Sequence, residues 1–446
     1  MLIRLLVLGS LLSQVITLPA WALETLSLRE AWGAGLEHDV NFRNAQAALL
    51  RARIGIDQAR GEQFQYGGDL NVGNRYGVMG LLGAGPITAM NSPLANATVM
   101  ARWPIFTGGK VEQGIAQAET QSLIQAARVA QTRENALYGV AEAYWDLKRA
   151  QLRLDTQKLA LLDARSQLNL VGSRVRTGRA EAHDLSQAEI GIATAEDGVI
   201  QGEAELKTAY LKLSRLLGRE VGDLRLDEPT VTEKEAETAL DTCVAVALQH
   251  RPELQISRLQ LAQCGLQVQL AKAEKTPQID LISAYQHGNN PFIATVSNRD
   301  LLNAFTGVWD ARLNLSLRAF DHGVIDRQIQ LRENELAAEQ TAASLTEKQI
   351  RIDVKRAWES LVQARRRVVV TRQGEVLALR YHQQIQARYR LGFGLAYLVD
   401  EARNRVASAR NRAIDAAIDA ELARLALLVV QGRLGLTWAK LTEGAS

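Results

Sequence analysis

Two periodicities divide the chain. Between Arg312 and Arg318, apolar Leu313, Leu315 and Leu317 alternate with polar Arg312, Asn314, Ser316 and Arg318, the period of a half-buried strand. Val99, Ala101 and Trp103 alternate with Thr98, Met100 and Arg102 in the same manner, with Met100 out of pattern. Elsewhere apolar positions recur every three to four residues. From Val111 to Gly172 that stripe predicts a helix of about 60 residues, roughly 90 Å long. Globular helices average about a dozen residues. Small residues such as Ala116, Ala118, Ala126, Ala127 and Ala130 allow close packing, while Gln, Glu, Arg and Lys keep the other faces wet. Of the 8 prolines none lies between Ile105 and Glu228 and none follows Pro291, as uninterrupted helices require.

The pattern occurs twice. An offset of 214 carries Phe106 onto Phe320, Gly109 onto Gly323, Glu119 onto Glu333, Leu147 onto Leu361, Arg153 onto Arg367, Arg174 onto Arg388 and Gly178 onto Gly392. The leading parts match at 212, with His38 on His250. Each copy reads as one helix (near Val40–Glu62 and Pro252–Lys275), two short β segments around a loop rich in Gly, Pro, Asn and Ser, and a long helix. That helix ends near Gly178 or Gly392, and a second returns near Glu181–Leu217 and Ala396–Leu434. The expected organisation is an export signal over 1–22, a first repeat over 23–218, a linker over 219–235 and a second repeat over 236–446. Arg4, the apolar run Leu5 to Ile16, and Ala20-Trp21-Ala22 make up the signal and its cleavage pattern.

Composition narrows the function. With 52 Lys and Arg against 49 Asp and Glu, the net charge of +3 gives no reason to expect a nucleic-acid partner. Two cysteines, Cys243 and Cys264, exclude a disulfide framework. The histidines (His38, His183, His250, His287, His322, His382) are scattered without metal-ligand spacing. Gly392-Phe393-Gly394 lacks the third glycine of a dinucleotide loop, and Arg365-Arg366-Arg367 reads as a solvated helix face. The expectation is no enzyme, no cofactor and no metal.

The alternating strands alone leave two readings open, a soluble sheet packed on a core and a membrane barrel with lipid outside and water inside. The helices decide for the barrel. Four strands per chain cannot close one, since the smallest membrane barrels need eight, so three chains supplying twelve are expected. The fold class is therefore mainly α with a membrane β-barrel, a trimeric 12-stranded barrel continued by a long α-helical coiled-coil barrel. Its lumen would be lined by Arg312, Asn314, Ser316 and Arg318, and Trp103, Trp309 and Tyr285 are candidates for an interfacial girdle. A soluble periplasmic coiled-coil adaptor and a structural filament are the alternatives. The adaptor calls for one hairpin and a contiguous β domain, and the filament has no use for alternating strands.

Two duplicated junctions carry a family resemblance, Trp103-Pro104-Ile105-Phe106-Thr107-Gly108-Gly109 and Leu317-Arg318-Ala319-Phe320-Asp321-His322-Gly323. So do the tips Arg174-Val175-Arg176-Thr177-Gly178 with Asp184-Leu185, and Arg388-Tyr389-Arg390-Leu391-Gly392, and the segment Ala247 to Leu254. With these the chain resembles the TolC family of outer-membrane efflux proteins over essentially its whole mature length. The resemblance implies a homotrimer in outer-membrane lipid, the exit duct of a tripartite pump or type I secretion system. A periplasmic adaptor (membrane fusion protein) and an inner-membrane transporter would be its partners. It implies a periplasmic gate at the hairpin tips, here Asp184, Arg176, Arg390, Asp400 and Glu401, and adaptor contacts at Arg174, Gly178, Arg388 and Gly392. Asp184 stands at the family's tip aspartate, whereas the second copy has Leu398 there. The glycines also suit plain helix caps, and the arginines suit carboxyl-terminal helix ends.

Overall fold

The computed structural model describes residues 24–79, 88–220, 222, 224–227, 239–289, 305–318 and 320–443. The expected export signal and most of the expected linker lie outside them. The first repeat opens with β1 (Glu24–Leu26), α1 (Leu28–His38) and α2 (Val40–Gly61). A capping box starts α1. Glu30 N donates to Ser27 Oγ at 3.3 Å, and Ser27 N donates to Glu30 Oε2 at 2.9 Å. That exchange holds the Glu30 carboxyl below the ordinary carboxylate range. Next come β2 (Gln65–Met79), β3 (Thr88–Phe106), α3 (Lys110–Arg176), α4 (Ala182–Leu217) and β4 (Leu224–Leu226).

The second repeat holds α5 (Leu240–His250), α6 (Pro252–Ala273), β5 (Gln278–Asn289), β6 (Phe305–Ser316), α7 (Val324–Arg390), α8 (Ala396–Val430) and α9 (Leu434–Glu443). The offsets hold to the residue. α3 and α7 are both 67 residues long and start 214 apart, and α1 and α2 map onto α5 and α6 at 212. Three features depart from the sequence reading. α1 and α5 precede the expected first helices, β4 lies inside the segment read as linker, and the last helix breaks after Val430 before resuming as α9. The break follows from Gly432, whose φ of +69° ends α8 in a left-handed turn.

Two compact units cut across the repeats: 1–40, 133–247 and 353–446 form one, and 41–132 and 248–352 the other. In the first unit Trp32 donates to Leu137 O at 2.8 Å, and fully buried Tyr144 donates to Leu26 O at 2.9 Å and accepts from Asp227 N at 2.8 Å. Those bonds pin the parallel β1–β4 pair, and burial pushes the Tyr144 phenol far up. Buried Glu134 caps α9, accepting from Leu434 N at 2.9 Å and Gly435 N at 2.8 Å. Arg149 to Asp419 at 2.9 Å and Arg153 to Asp415 at 2.8 Å tie α3 of one repeat to α8 of the other. The second unit holds a four-stranded antiparallel sheet in the order β2-β3-β5-β6, joined to helices fastened by Arg60–Glu119, Lys272–Glu333 and Lys275–Asp326.

Candidate functional site: an uncovered sheet and a pair of hairpin tips

The sheet sorts its residues by chemistry. Register places Val99, Tyr285 and Trp309 in one cross-strand row and Trp103, Leu281 and Leu313 in another on the same face, together with Tyr66 and Leu70 of β2. This face is open rather than packed on a core: Trp309 is 67% and Leu313 66% exposed, with Tyr66, Leu70, Val99, Trp103 and Tyr285 exposed as well. At 46–82% exposure each of these side chains forgoes ~1–2 kcal/mol, so the seven together favour a non-aqueous surrounding by ~7–14 kcal/mol. The aromatic residues named from the sequence, Trp103, Tyr285 and Trp309, all belong to it, and Trp309 Nε1 donates to Ser283 Oγ at 3.1 Å.

The opposite face is polar. Gln65, Arg102, Ile282 and Arg312 share a row, and Asp280 pairs with Asn314 in the next. Arg102 donates to Asp280 Oδ2 at 2.9 Å. Arg312, Asn314 and Ser316 occupy this face in register, while Arg318 lies beyond the end of β6. Met100 also falls here, exposed among polar neighbours. Neither edge strand, β2 or β6, has an outer partner among the described residues.

The tips of both repeats fall in the other unit and pack together. Each long helix ends in the same motif. Arg179 N donates to Arg174 O at 2.8 Å and Gly178 N to Val175 O at 3.0 Å, while Phe393 N donates to Arg388 O and Gly392 N to Tyr389 O, both at 3.0 Å. Gly178 and Gly392 carry φ of +66° and +92°, conformations that a β-carbon disfavours, so both are helix caps first. Val171, Ala188, Tyr389, Ala396 and Val399 form a buried cluster across the two repeats. Arg174 lies over the Tyr389 ring at 4.2 Å and donates to Arg390 O at 2.9 Å. Burial raises the Tyr389 phenol, against the Arg174 guanidinium, which lowers it.

The acidic candidates separate. Asp184 Oδ2 accepts from Glu181 N at 3.2 Å and so caps α4, while Glu401 is exposed and pairs with Arg405 at 2.6 Å. Asp400 is inside. It is 7% exposed beside 6% exposed Arg403, whose Nη1 lies 3.2 Å away, and burial raises its carboxyl although Arg403 opposes the shift. A β-carbon on Gly191 of α4 would sit 3.2 Å from Arg403 Nη2, so the pair occupies the space that glycine leaves. Arg176, Arg388 and Arg390 are exposed.

Sequence reasoning missed Tyr389, Gly191 and Arg403, and it missed an apolar tip. Leu391, Phe393, Leu395 and Tyr397 are exposed, Phe393 at 77%, where the first repeat has Thr177, Arg179, Glu181 and His183. That contrast is readable by aligning the copies.

A family model described as outer membrane efflux protein matches residues 36–219 and 244–433. The chain is 21% identical over 330 residues to the outer membrane efflux protein BepC of Brucella suis, covering 74% of this chain and 70% of that one. It is 24% identical over 421 residues to protein CyaE of Bordetella pertussis, covering 94% and 86%. Among solved structures it resembles CusC, described by its transmembrane channel formation, with a TM-score of 0.77, 15% identity and 91% of both chains covered.

Proposed function

This chain belongs to the outer membrane efflux protein family, and from that premise we propose how it forms its channel. Three copies join β6 of one to β2 of the next and close twelve strands into one outer-membrane barrel, with lipid against Val99, Trp103, Tyr285, Trp309 and Leu313 and water against Arg102, Arg312 and Asn314. The observation that carries this reading is the sheet with one open apolar face, one polar face and two edges without a partner among the described residues. A soluble adaptor or a filament has no use for such a sheet. The long helices continue the barrel as a periplasmic α-helical conduit.

The hairpin tips serve as the gate. In the resting state Arg174 clamps Tyr389 and the end of α7, and the Asp400–Arg403 pair holds α8 against α4 at Gly191. Opening separates the tips of the two repeats. The exposed arginines and the Phe393 knob receive a periplasmic adaptor, and an inner-membrane transporter supplies the energy. The test is the mass of the detergent-extracted mature protein together with its conductance in a planar bilayer. Trimers with a small conductance that rises on loosening the tips agree with the reading. A monomer that stays dissolved without detergent and forms no pore refutes it.

A further inference from the structure

We propose that the duplication fixes which residues meet where two copies of this chain join. α7 of one copy lies against α2 of the next with Glu335 beside Arg51, and β6 pairs with β2 so that Leu315 stands opposite Leu70 and Leu313 opposite Val72. This rests on the trimer proposed above and adds the register and the residues of its seam. Every residue it uses lies within one compact unit.

The repeats share contacts as well as elements. Arg60 of α2 pairs with Glu119 of α3 at 3.0 Å, and the offsets of 212 and 214 carry these two onto Lys272 of α6 and Glu333 of α7, which pair at 2.9 Å. Helix α6 has a second neighbour in the other repeat. Gln263 Nε2 donates to Gln121 Oε1 of α3 at 3.4 Å, and Gln131 Nε2 donates to Glu253 Oε1 at 3.3 Å. The equivalent surfaces of α2 and α7 are bare among the described residues. α6 buries Pro252, Leu254, Ser257, Val268, Ala271 and Ala273, whereas α2 buries none. Between Gln121 and Gln131, α3 buries Ile124 and Ala127, whereas their counterparts on α7, Ala338 and Thr341, are exposed. A junction that is closed between the two repeats is thus open at their outer sides.

A neighbouring copy repeats the inner junction at the outer one. Gln263 and Gln121 carry onto Arg51 and Glu335, so a pair of amides becomes a pair of opposite charges. Glu335 Oε2 already accepts from Arg332 at 2.7 Å, and its carboxylate would be shared between two guanidinium groups. In the sheet, β2 starts at Gln65 opposite Arg102 and β5 at Gln278 opposite Ser316, so these strands correspond at 213 while their partners keep 214. The β3–β5 pairs Val99–Tyr285, Ala101–Ser283 and Phe106–Ile279 then become Leu313–Val72, Leu315–Leu70 and Phe320–Tyr66. All six of these residues are exposed, Phe320 at 97%, and all are aliphatic or aromatic. On the opposite face Met100–Ala284 and Arg102–Ile282 become Asn314–Asn71 and Ser316–Asp69. The offsets alone therefore set apolar against apolar and polar against polar. A slip of one residue would set Leu315 against Asp69 or Asn71, whose side chains leave the other face.

The test oxidises cysteine pairs in the detergent-extracted full chain with copper phenanthroline and reads product size on a denaturing gel without reductant, beside the mass of the untreated protein in detergent. β2 and β6 are the two edges of one four-stranded sheet, ~14 Å apart, whereas a disulfide needs Cα atoms within ~4.4–6.8 Å, so a bond between these strands joins two copies. Leu70→Cys with Leu315→Cys should give covalent dimers and trimers. Either variant alone, and the shifted pair Asn71→Cys with Leu315→Cys, should give neither. On the helices, Arg51→Glu and Glu335→Arg should each raise the concentration at which half of the trimer dissociates by about threefold, and the two together should recover at least half of that loss. Both positions lie on helix surfaces, so this swap keeps the test open if the cysteine pair disturbs the sheet. A trimer by mass that links only through the shifted pair, or that is indifferent to both charge reversals, overturns the seam and leaves the barrel standing. A monomer by mass overturns both.

Discussion

Arg174→Ala is the sharpest perturbation of the tips, because one side chain joins the two repeats by two separable contacts. It loses a cation–π contact at 4.2 Å with Tyr389, worth ~0.5–1 kcal/mol, and a charged hydrogen bond at 2.9 Å to Arg390 O, worth ~1 kcal/mol where water competes. The Arg390 carbonyl stays at a wet helix end, so no orphan penalty is added. The sum is ~2 kcal/mol per chain. Locally, amide hydrogen exchange at Leu391 and Gly392 should speed up about 30-fold. If three tips open together, ~6 kcal/mol moves the closed-to-open ratio by about four orders of magnitude, enough to turn a small bilayer conductance into a large one. Arg174→Lys keeps the charge but not the planar fork, and should recover less than half of the effect. Exchange and conductance both unchanged in Arg174→Ala would refute the clamp, whatever the oligomeric state.

Three further outcomes are expected. Arg403→Met should cost ~3–5 kcal/mol in thermal unfolding by leaving Asp400 buried and unpaired, while Asp400→Leu with Arg403→Met should recover most of that loss; equal losses in both would show that the pair is not the cause. Leu313→Arg puts a charge on the open apolar face and should weaken membrane insertion by ~1–4 kcal/mol in liposome refolding, whereas Arg312→Leu on the polar face should insert normally. His382 is held below its ordinary 6.5, first by burial and then by Arg403, against the pull of Asp163. The unfolded chain therefore takes up its proton first, and tip stability is full above pH 6.5, falls as pH drops through that value and levels off below the folded one. His382→Phe should flatten that slope in a pH series of exchange rates.

Much of this was legible in the sequence wherever a repeated pattern carried it. The long helices showed because proline is absent and small residues recur, and β6 showed because four polar residues alternate with three leucines. β2 was harder, since Gly67 and Gly68 erase the alternation and only pairing with β3 sorts its faces. α1 left a signal that periodicity alone passes over: Ser27-Leu28-Arg29-Glu30 is a capping box written in order. The β1–β4 pair could not be read, because its strands are three residues each and meet from opposite ends of a repeat. At the tips, the arginines and Asp400 were visible as charges. That Asp400 is buried was not, because its partner lies one turn on and the space around them depends on Gly191 more than two hundred residues away.

Duplication gives this chain two copies of one scaffold and frees the ends to diverge. The long helices keep one length, 67 residues, because packing along a shared seam tolerates few changes of register. Caps are constant because the turn needs glycine at Gly178 and at Gly392. What differs is the exposed chemistry of the tips: the first is polar at Thr177, Arg179, Glu181 and His183, the second apolar at Leu391, Phe393, Leu395 and Tyr397. In the proposed trimer six hairpins would then alternate in chemistry around the ring. A partner that bound every hairpin alike would have to bury Phe393-type and Arg179-type surfaces in one pocket, and the unpaired guanidinium would oppose it. Two kinds of partner contact per chain follow from the sequence divergence itself. A change at Phe393 and one at Arg179 should therefore weaken partner binding additively, as independent sites do.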